Sequence, residues 1–350
     1  MKAIVLNEHG STGNFSLVEI EKPKAIDGHV VIEVCASSLN PVDCKIRNGM
    51  LAAIGPDLPG VLHGDIAGII TEIGDGVEKF KVGDEVYGCV GGFKGMPGVL
   101  SEFALADAKL LAIKPGNITM PEAASLPLVG ITSWNALVDR ANIKAGERVL
   151  IHAGTGGVGH FALQLAKAMG AETHSTISND LKANLAKDLG ADEAINYGEL
   201  EVEEYVQKFA GGIGYDLVFD TVGGKCLDQS FWAAKEHGTV VSIAARSEHD
   251  LTPVHTKSLS LHVVFMLLPI LRNTGRERHG EILTKISDLV EQTKIKPLLH
   301  EQRFSFEEVG RAHECWISRN RGFLSSFILR RVATICNKLQ TVASVKSQFD

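Results

Sequence analysis

The chain has 350 residues, enough for about two domains, and its 45% hydrophobic and 22% charged residues are ordinary proportions for a globular enzyme. A formal net charge of −7 argues against nucleic acid or an anionic membrane as the main partner. The six cysteines are scattered without a Cys-x-x-Cys pair, which argues against a disulfide framework and a zinc finger.

The N-terminal segment MKAIVLNEHG alternates like a strand and lacks the apolar core of a signal peptide. The longest apolar run, Leu261–Leu271, contains His262 and Pro269 and is too short to span a bilayer. We therefore expect a cytoplasmic protein that does not bind membranes.

The first 120 residues contain short strand-like runs separated by turns rich in Gly, Pro and Asp. The clearest runs are His29–Cys35, Ile66–Ile73 and Glu85–Cys89. This pattern predicts a compact, mainly β domain with little helix.

From about Pro121 the pattern changes to strands that alternate with helices. The predicted strands are Val149–Ala153, Thr173–Thr176, Ala194–Asn196, Leu217–Asp220 and Thr239–Ile243. The predicted helices include Asp180–Leu189, Val202–Phe209 and Gly224–Ala234. Such alternation predicts an α/β fold with a doubly wound parallel sheet and helices on both faces.

A glycine-rich turn, Gly154–Gly159, follows the first of these strands and opens a helix. Strand, glycine turn and helix in this order build a site for a dinucleotide pyrophosphate, since the backbone can approach the phosphates and the helix N-terminus supplies free N–H groups. The residues predicted to hold the pyrophosphate are Gly156, Gly157, Val158 and Gly159. A tight turn without a ligand is the alternative, but it needs only one glycine.

The chain resembles the medium-chain dehydrogenase/reductase superfamily, close to its zinc-less quinone oxidoreductase branch. Besides the glycine turn, the matching segments are NPVDCKIRNG (Asn40–Gly49), Leu62–Gly88, PEAASLPLVGITSW (Pro121–Trp134) and FDTVGG (Phe219–Gly224). The resemblance implies a Rossmann dinucleotide-binding domain at 121–270 and a GroES-like catalytic domain formed by 1–120 and 271–350. It weakens after Glu314, where Phe323–Leu329 is the candidate for the last strand.

Zinc-bearing relatives hold a catalytic zinc with three side chains. Their first ligand is a cysteine three residues before an aspartate, but here Asn40 precedes Asp43. Their second ligand is the histidine of a Gly-His-Glu motif, but the aligned triplet here is His63-Gly64-Asp65, so Gly64 takes the ligand position. Their third ligand is a cysteine, but the corresponding segment, Leu126–Trp134, contains none. The resemblance therefore implies no metal. Cys44 and His63 are the possible ligands of an altered site. Alternatively, Cys44 packs as a small hydrophobic residue and His63 lies on a strand edge.

The end of the second Rossmann strand indicates the cofactor. An NAD site places a carboxylate there to hold the ribose hydroxyls. This strand ends in Ser175 and Thr176, and Glu172 lies too early to reach the ribose. In the resembling reductases a Gly or Ser, a Lys and a Tyr just beyond it hold the 2′-phosphate of NADPH, which needs donors and positive charge. The matching residues are Ser178, Lys182 and Tyr197. Alternatively, Lys182 is an exposed helix residue and Tyr197 a capping aromatic, and neither binds a phosphate.

The resemblance places the active site between the domains. It implies that Asn40 and Asp43 line the substrate side. Two residues after Asp43, where many quinone reductases carry tyrosine, this chain has Lys45. Lys45 could donate a proton or bind an acidic substrate, and a solvated surface lysine is the alternative. The further cofactor contacts expected are Thr132, Thr176, Val222 and Ala244.

A reductase without a metal favours acceptors that spread the developing charge themselves. We therefore predict NADPH-dependent hydride transfer to a quinone or an α,β-unsaturated carbonyl. A zinc-type alcohol dehydrogenase and a non-catalytic nucleotide-binding protein of reductase descent are the alternatives.

The segment Lys257–Phe265 alternates like a strand and follows the Rossmann strands, so it is predicted near the edge of the sheet. In the resembling reductases such a strand pairs across a two-fold axis. This predicts a homodimer, unless the unusual C-terminal tail covers the edge.

Overall fold

The computed structural model describes residues 1–318 and 326–330. The strands are β1 (Lys2–Leu6), β2 (Phe15–Glu19), β3 (His29–Leu39), β4 (Gly60–Val61), β5 (Asp65–Ile73), β6 (Glu85–Cys89), β7 (Phe103–Asp107), β8 (Leu111–Ile113), β9 (Arg148–Ile151), β10 (Glu172–Ile177), β11 (Glu193–Asn196), β12 (Tyr215–Asp220), β13 (Ala234–Ser242), β14 (Ser260–Val263), β15 (Leu299–Ser305) and β16 (Ser326–Arg330). The α-helices are α1 (Pro41–Arg47), α2 (Met120–Ala124), α3 (Pro127–Trp134), α4 (Gly157–Ala168), α5 (Asp180–Asp188), α6 (Val202–Phe209), α7 (Lys225–Ala233), α8 (Thr252–Thr256), α9 (Leu268–Arg272), α10 (Glu277–Glu291) and α11 (Val309–Ser318).

Six parallel strands form one sheet in the order β11-β10-β9-β12-β13-β14, which confirms the predicted α/β class. The central residues Val149, Leu150 and Ile151 are fully buried, as expected for a strand covered on both faces. From β9 the chain first builds outward through β10 and β11 and then returns to β12. This reversal opens a crevice at the carboxyl ends of β9 and β12, where open α/β sheets bind their ligands.

A second, seven-stranded sheet is mainly antiparallel and follows the order β15-β16-β3-β5-β6-β8, with β7 also paired to β3. A smaller sheet joins β2, β1 and β4. The predicted mainly β region is thus confirmed. Strand β3 runs to Leu39, beyond the predicted end at Cys35, because Ala36–Leu39 pairs with the distant strand β16.

Strand β16 overlaps the predicted last strand, Phe323–Leu329, but begins at Ser326. It pairs antiparallel with β3 and parallel with β15, contacts that a sequence pattern does not reveal. The first residues of the predicted strand, and residues 331–350 of the tail, lie outside the described residues.

Strand β14 lies at the edge of the parallel sheet, as predicted for Lys257–Phe265. It is shorter than predicted because Ser258 has a positive φ of 53°, so the extended stretch starts only at Ser260. Among the helices of the described residues, none is long and apolar enough to cross a membrane.

Candidate functional site

The glycine turn is shaped both by close packing and by open space. A Cβ on Gly159 would lie 2.1 Å from the carbonyl oxygen of Ala153 and 2.8 Å from the Cα of Gly154, so only glycine lets α4 approach the end of β9. A Cβ on Gly157 would meet its nearest neighbour, Val129, at an ordinary 3.7 Å. The first N–H groups of α4 have no partner within the helix. The turn therefore fits a pyrophosphate, with room beside Gly157.

Two hydroxyl groups of β10 accept hydrogen bonds from backbone N–H groups at the start of this turn. Ser175 Oγ accepts the N–H of Gly154 at 3.0 Å, and Thr176 Oγ1 accepts the N–H of Ala153 at 3.2 Å. Thr176 also lies 3.1 Å from Nδ1 of His152 and is buried. The structure thus places the hydroxyl of Thr176, a predicted cofactor contact, against the turn itself.

The three residues predicted to hold a 2′-phosphate lie at the adjacent ends of β10 and β11. Lys182 Nζ donates to Ser178 Oγ at 3.0 Å, from a helix that Asn179 caps. Tyr197 is 61% exposed, and its backbone N–H donates to Ile177 at 3.2 Å. Burial lowers the pKa of Lys182. A hydroxyl and an ammonium group thus meet where an NAD site would have a carboxylate.

A buried aspartate holds the ends of β12 and β13, where Val222 and Ala244 were predicted to meet the cofactor. Asp220 accepts the backbone N–H groups of Val222 at 2.9 Å and Gly223 at 2.8 Å, and the hydroxyl of Ser242 at 2.7 Å. Ser242 Oγ in turn accepts the N–H of Ala244 at 3.1 Å. Asp220 is not among the residues predicted from the sequence, although an acidic residue that ends an apolar strand, YDLVFD, is a usable signal.

Asn40 and Asp43, two of the predicted catalytic residues, lie in one buried network. The backbone N–H of Asn40 donates to Asp43 Oδ2 at 2.7 Å. Its side-chain Nδ2 donates to Asp65 Oδ2 at 2.9 Å and to Ser38 Oγ at 3.2 Å, and Ser38 Oγ donates to Asp65 Oδ2 at 2.8 Å. Burial raises the pKa of Asp65 to about 6 and that of Asp43 well above its usual value. Asp65 is not among the site residues predicted from the sequence, where it stands only in the triplet His63-Gly64-Asp65.

Asp65 also reaches the helix that carries Thr132. Its Oδ1 accepts the N–H of Leu128, in the first turn of α3, at 3.1 Å. Thr132 is buried, and its hydroxyl donates to the carbonyl of Leu128 at 2.7 Å. Lys45, the third predicted catalytic residue, is exposed on α1 while Asp43 on the same helix is buried. The structure thus brings Asn40, Asp43 and Thr132 together and leaves Lys45 at the surface.

The side chains at the zinc-ligand positions do not fit a catalytic zinc. Asn40 directs its amide nitrogen to a carboxylate, and Gly64 has no side chain. Cys44 and His63 are joined through His313: Cys44 Sγ lies 3.4 Å from its Nδ1 and His63 Nε2 lies 3.1 Å from its Nε2. Because the two ring nitrogens of His313 face opposite ways, one ion cannot contact all three. Within residues 1–318 and 326–330, no group of three or more His, Cys, Asp and Glu side chains is arranged to hold a metal.

His63 lies in the loop between β4 and β5, with a positive φ of 67°, and is fully buried. The sequence predicts either an accidental metal ligand or a residue on a strand edge. The structure instead buries His63 in this loop, with its Nε2 3.1 Å from Nε2 of His313, 250 positions away.

Two family models match the chain: "Alcohol dehydrogenase GroES-like domain" over residues 26–116 and "Zinc-binding dehydrogenase" over residues 157–277. An NADPH-dependent alkenal/one oxidoreductase from Arabidopsis thaliana is 34% identical over 305 residues, which cover 85% of this chain and 72% of that protein. A crystal structure of an alcohol dehydrogenase superfamily protein from Novosphingobium aromaticivorans is 39% identical, with a TM-score of 0.89 and coverage of 94% of this chain and 99% of that one. The quinone oxidoreductase of Escherichia coli, solved in complex with NADPH, is 29% identical, with a TM-score of 0.81 and coverage of 94% and 100%.

Proposed function

Because the chain belongs to the medium-chain dehydrogenase/reductase superfamily, on its quinone oxidoreductase-like branch, we propose that it is an NADPH-dependent, zinc-independent reductase of quinones or α,β-unsaturated carbonyls. The observation that carries the proposal is the combination of the glycine turn with the pair Lys182–Ser178 at the end of β10. The NADPH named for two of the similar proteins supports the same cofactor.

In this proposal the residues of the parallel sheet hold NADPH along the crevice. The first turn of α4 holds the pyrophosphate, since its N–H groups and the positive end of its dipole favour an anion. Lys182, Ser178 and Tyr197 hold the 2′-phosphate through charge-assisted and neutral hydrogen bonds. Val222 and Ala244 contact the cofactor where it crosses the sheet, and Thr132 contacts its nicotinamide end. When bound, NADPH supplies the hydride.

Where the quinone or enone is proposed to bind, the site has the buried amide of Asn40 and the carboxyl groups of Asp43 and Asp65 in place of a Lewis acid. A conjugated acceptor suits this site because it delocalises the charge that hydride transfer creates. We expect NADPH oxidation with quinones and enones, little with simple ketones, and no loss of activity on dialysis against a chelator. A zinc-type alcohol dehydrogenase would lose activity in the chelator, and a non-catalytic protein would bind NADPH without oxidising it with any acceptor.

The substitution Lys182→Ala is expected to weaken NADPH binding about tenfold, which corresponds to about 1.4 kcal/mol, and to leave NADH binding nearly unchanged. The reason is that only NADPH carries the phosphate that the ammonium group would contact. Fluorescence titration with both cofactors measures this, and Lys187→Ala, an exposed lysine on the same helix, is the matched control. Equal losses for the two cofactors would contradict the assignment.

We further propose that the protein is a cytoplasmic homodimer in which β14 pairs with the same strand of the partner and joins the two parallel sheets. The proposed domain limits are those predicted from the sequence, 121–270 for the dinucleotide-binding domain and 1–120 with 271–350 for the catalytic domain. Val263 on this edge strand is 54% exposed, and an exposed apolar edge favours pairing with a second strand. Val263→Lys should therefore produce monomers in light scattering, whereas Ile213→Lys, at an exposed site away from this edge, should not. A wild-type mass of one chain at micromolar concentration would contradict the proposal.

A further inference from the structure

The carboxylate of Asp65 joins the substrate side of the candidate site to the helix that carries Thr132. Asp65 is fully buried at the first position of β5. Its Oδ2 accepts hydrogen bonds from Asn40 at 2.9 Å and Ser38 at 2.8 Å, while its Oδ1 accepts the N–H of Leu128 at 3.1 Å. One side chain thus contacts both the strand end before α1 and the first turn of α3.

The bond to Leu128 places a negative charge at the N-terminus of α3, where the helix dipole favours it. Thr132 lies one turn further along this helix and is bonded to the carbonyl of the same Leu128. The position of the Thr132 hydroxyl is therefore linked to Asp65 through one residue.

The bonds to Asn40 decide which end of its amide faces the site. The Asn40 amide nitrogen is directed into the network, toward both Asp65 Oδ2 and Ser38 Oγ. The carbonyl oxygen, an acceptor, is therefore the end of the amide that points away from Asp65 and Ser38. Because Asp65 when ionised can only accept hydrogen bonds, it excludes the flipped amide, which would place two acceptors in contact.

We propose that Asp65 is a positioning residue that holds the Asn40 amide with its carbonyl toward the substrate and aligns it with Thr132 on α3. The proposal rests on the proposed reductase function. It differs from a general structural role because the orientation of one amide, and not only the stability of the fold, depends on Asp65.

The isosteric substitution Asp65→Asn tests this. The new amide can still accept from Leu128, but its nitrogen then faces the amide nitrogen of Asn40, which must turn over or move away. We expect kcat to fall by about ten- to a hundredfold, as for other small misplacements of reacting groups. The KM for NADPH should change less than about twofold, because the 2′-phosphate and pyrophosphate contacts lie on other elements.

The double variant Asn40→Asp/Asp65→Asn exchanges the amide and the carboxylate. Donor and acceptor again match across the contact, and an acceptor oxygen again faces the site, so a large part of the lost kcat should return. Asp107→Asn is the control for simple destabilisation, since Asp107 is a buried aspartate of the same sheet that pairs with Arg276 at 3.0 Å. It should lower the melting temperature without changing kcat.

Unchanged kcat in Asp65→Asn, or a double variant as impaired as the single one, would overturn the proposal. If the wild-type protein binds NADPH but reduces no quinone or enone, the proposed function fails, and a crystal structure of Asp65→Asn decides the inference instead. If the Asn40 side chain is turned or displaced in the Asp65→Asn structure, the positioning role is supported. If the Asn40 side chain keeps its wild-type orientation and position, the positioning role is refuted.

Discussion

Gly159→Ala is expected to abolish NADPH binding and to destabilise the protein by about 3 kcal/mol or more. The added methyl group would lie 2.1 Å from the carbonyl oxygen of Ala153, so α4 would have to move away from the end of β9. That movement would displace the first-turn N–H groups that are proposed to bind the pyrophosphate. Fluorescence titration with NADPH and thermal unfolding without it measure the two effects separately.

Gly157→Ala is the matched control, because its methyl group has room in the protein alone, with Val129 at 3.7 Å. We expect its stability to change by no more than about 0.5 kcal/mol. NADPH binding should nevertheless weaken, since the methyl group would occupy the open space proposed for the phosphates. A Gly157→Ala protein that binds NADPH as tightly as the wild type would place the pyrophosphate elsewhere.

The folded protein is expected to lose stability steeply as the pH falls below 6.5. Burial lowers the pKa of four histidines from 6.5 to about 3 or 4, and that of a fifth well below 6.5. They are His63, His152, His160, His279 and His313. Below pH 6.5 each of these histidines binds a proton in the unfolded chain but not in the folded protein. Each therefore lowers the free energy of unfolding by about 1.4 kcal/mol per pH unit, until the pH reaches its folded pKa.

Asp65 and Asp43 act in the opposite direction. Burial raises the pKa of Asp65 to about 6 and also raises that of Asp43, so in the fold these groups bind protons at pH values where the unfolded chain does not. They therefore add stability as the pH falls toward 3.8, but the five histidines outnumber them. The expected net effect is a loss of stability on the order of a few kcal/mol per pH unit between pH 6 and 5.

Urea unfolding at a series of pH values between 7.5 and 5 measures this loss. His279→Leu should reduce the slope below pH 6.5 by about one proton, because the buried titrating group is removed. Stability that is constant from pH 7 to 5 would show that the buried histidines are protonated in the fold.

Much of the fold was predictable from the sequence because each element depends on residues close along the chain. The strand Glu85–Cys89 and the helix Val202–Phe209 have the predicted bounds, since alternation and helical spacing are local properties. The same holds for the glycine turn and for Lys182 and Ser178, which lie four positions apart and are in contact.

The connections that shape the candidate site were not predictable in this way. Asp65 meets Asn40 across 25 positions and Leu128 across 63, and His63 meets His313 across 250. The hydroxyl of Thr176, a predicted cofactor contact, lies against the glycine turn, and Lys45, a predicted catalytic residue, is exposed. Neither position could be read from the sequence. The sequence by itself determined the elements, the phosphate-binding turn and the residue types at the cofactor end. Only the tertiary structure decided which buried polar groups are partners, because a hydrogen bond depends on the position of two atoms in space and not on their separation along the chain.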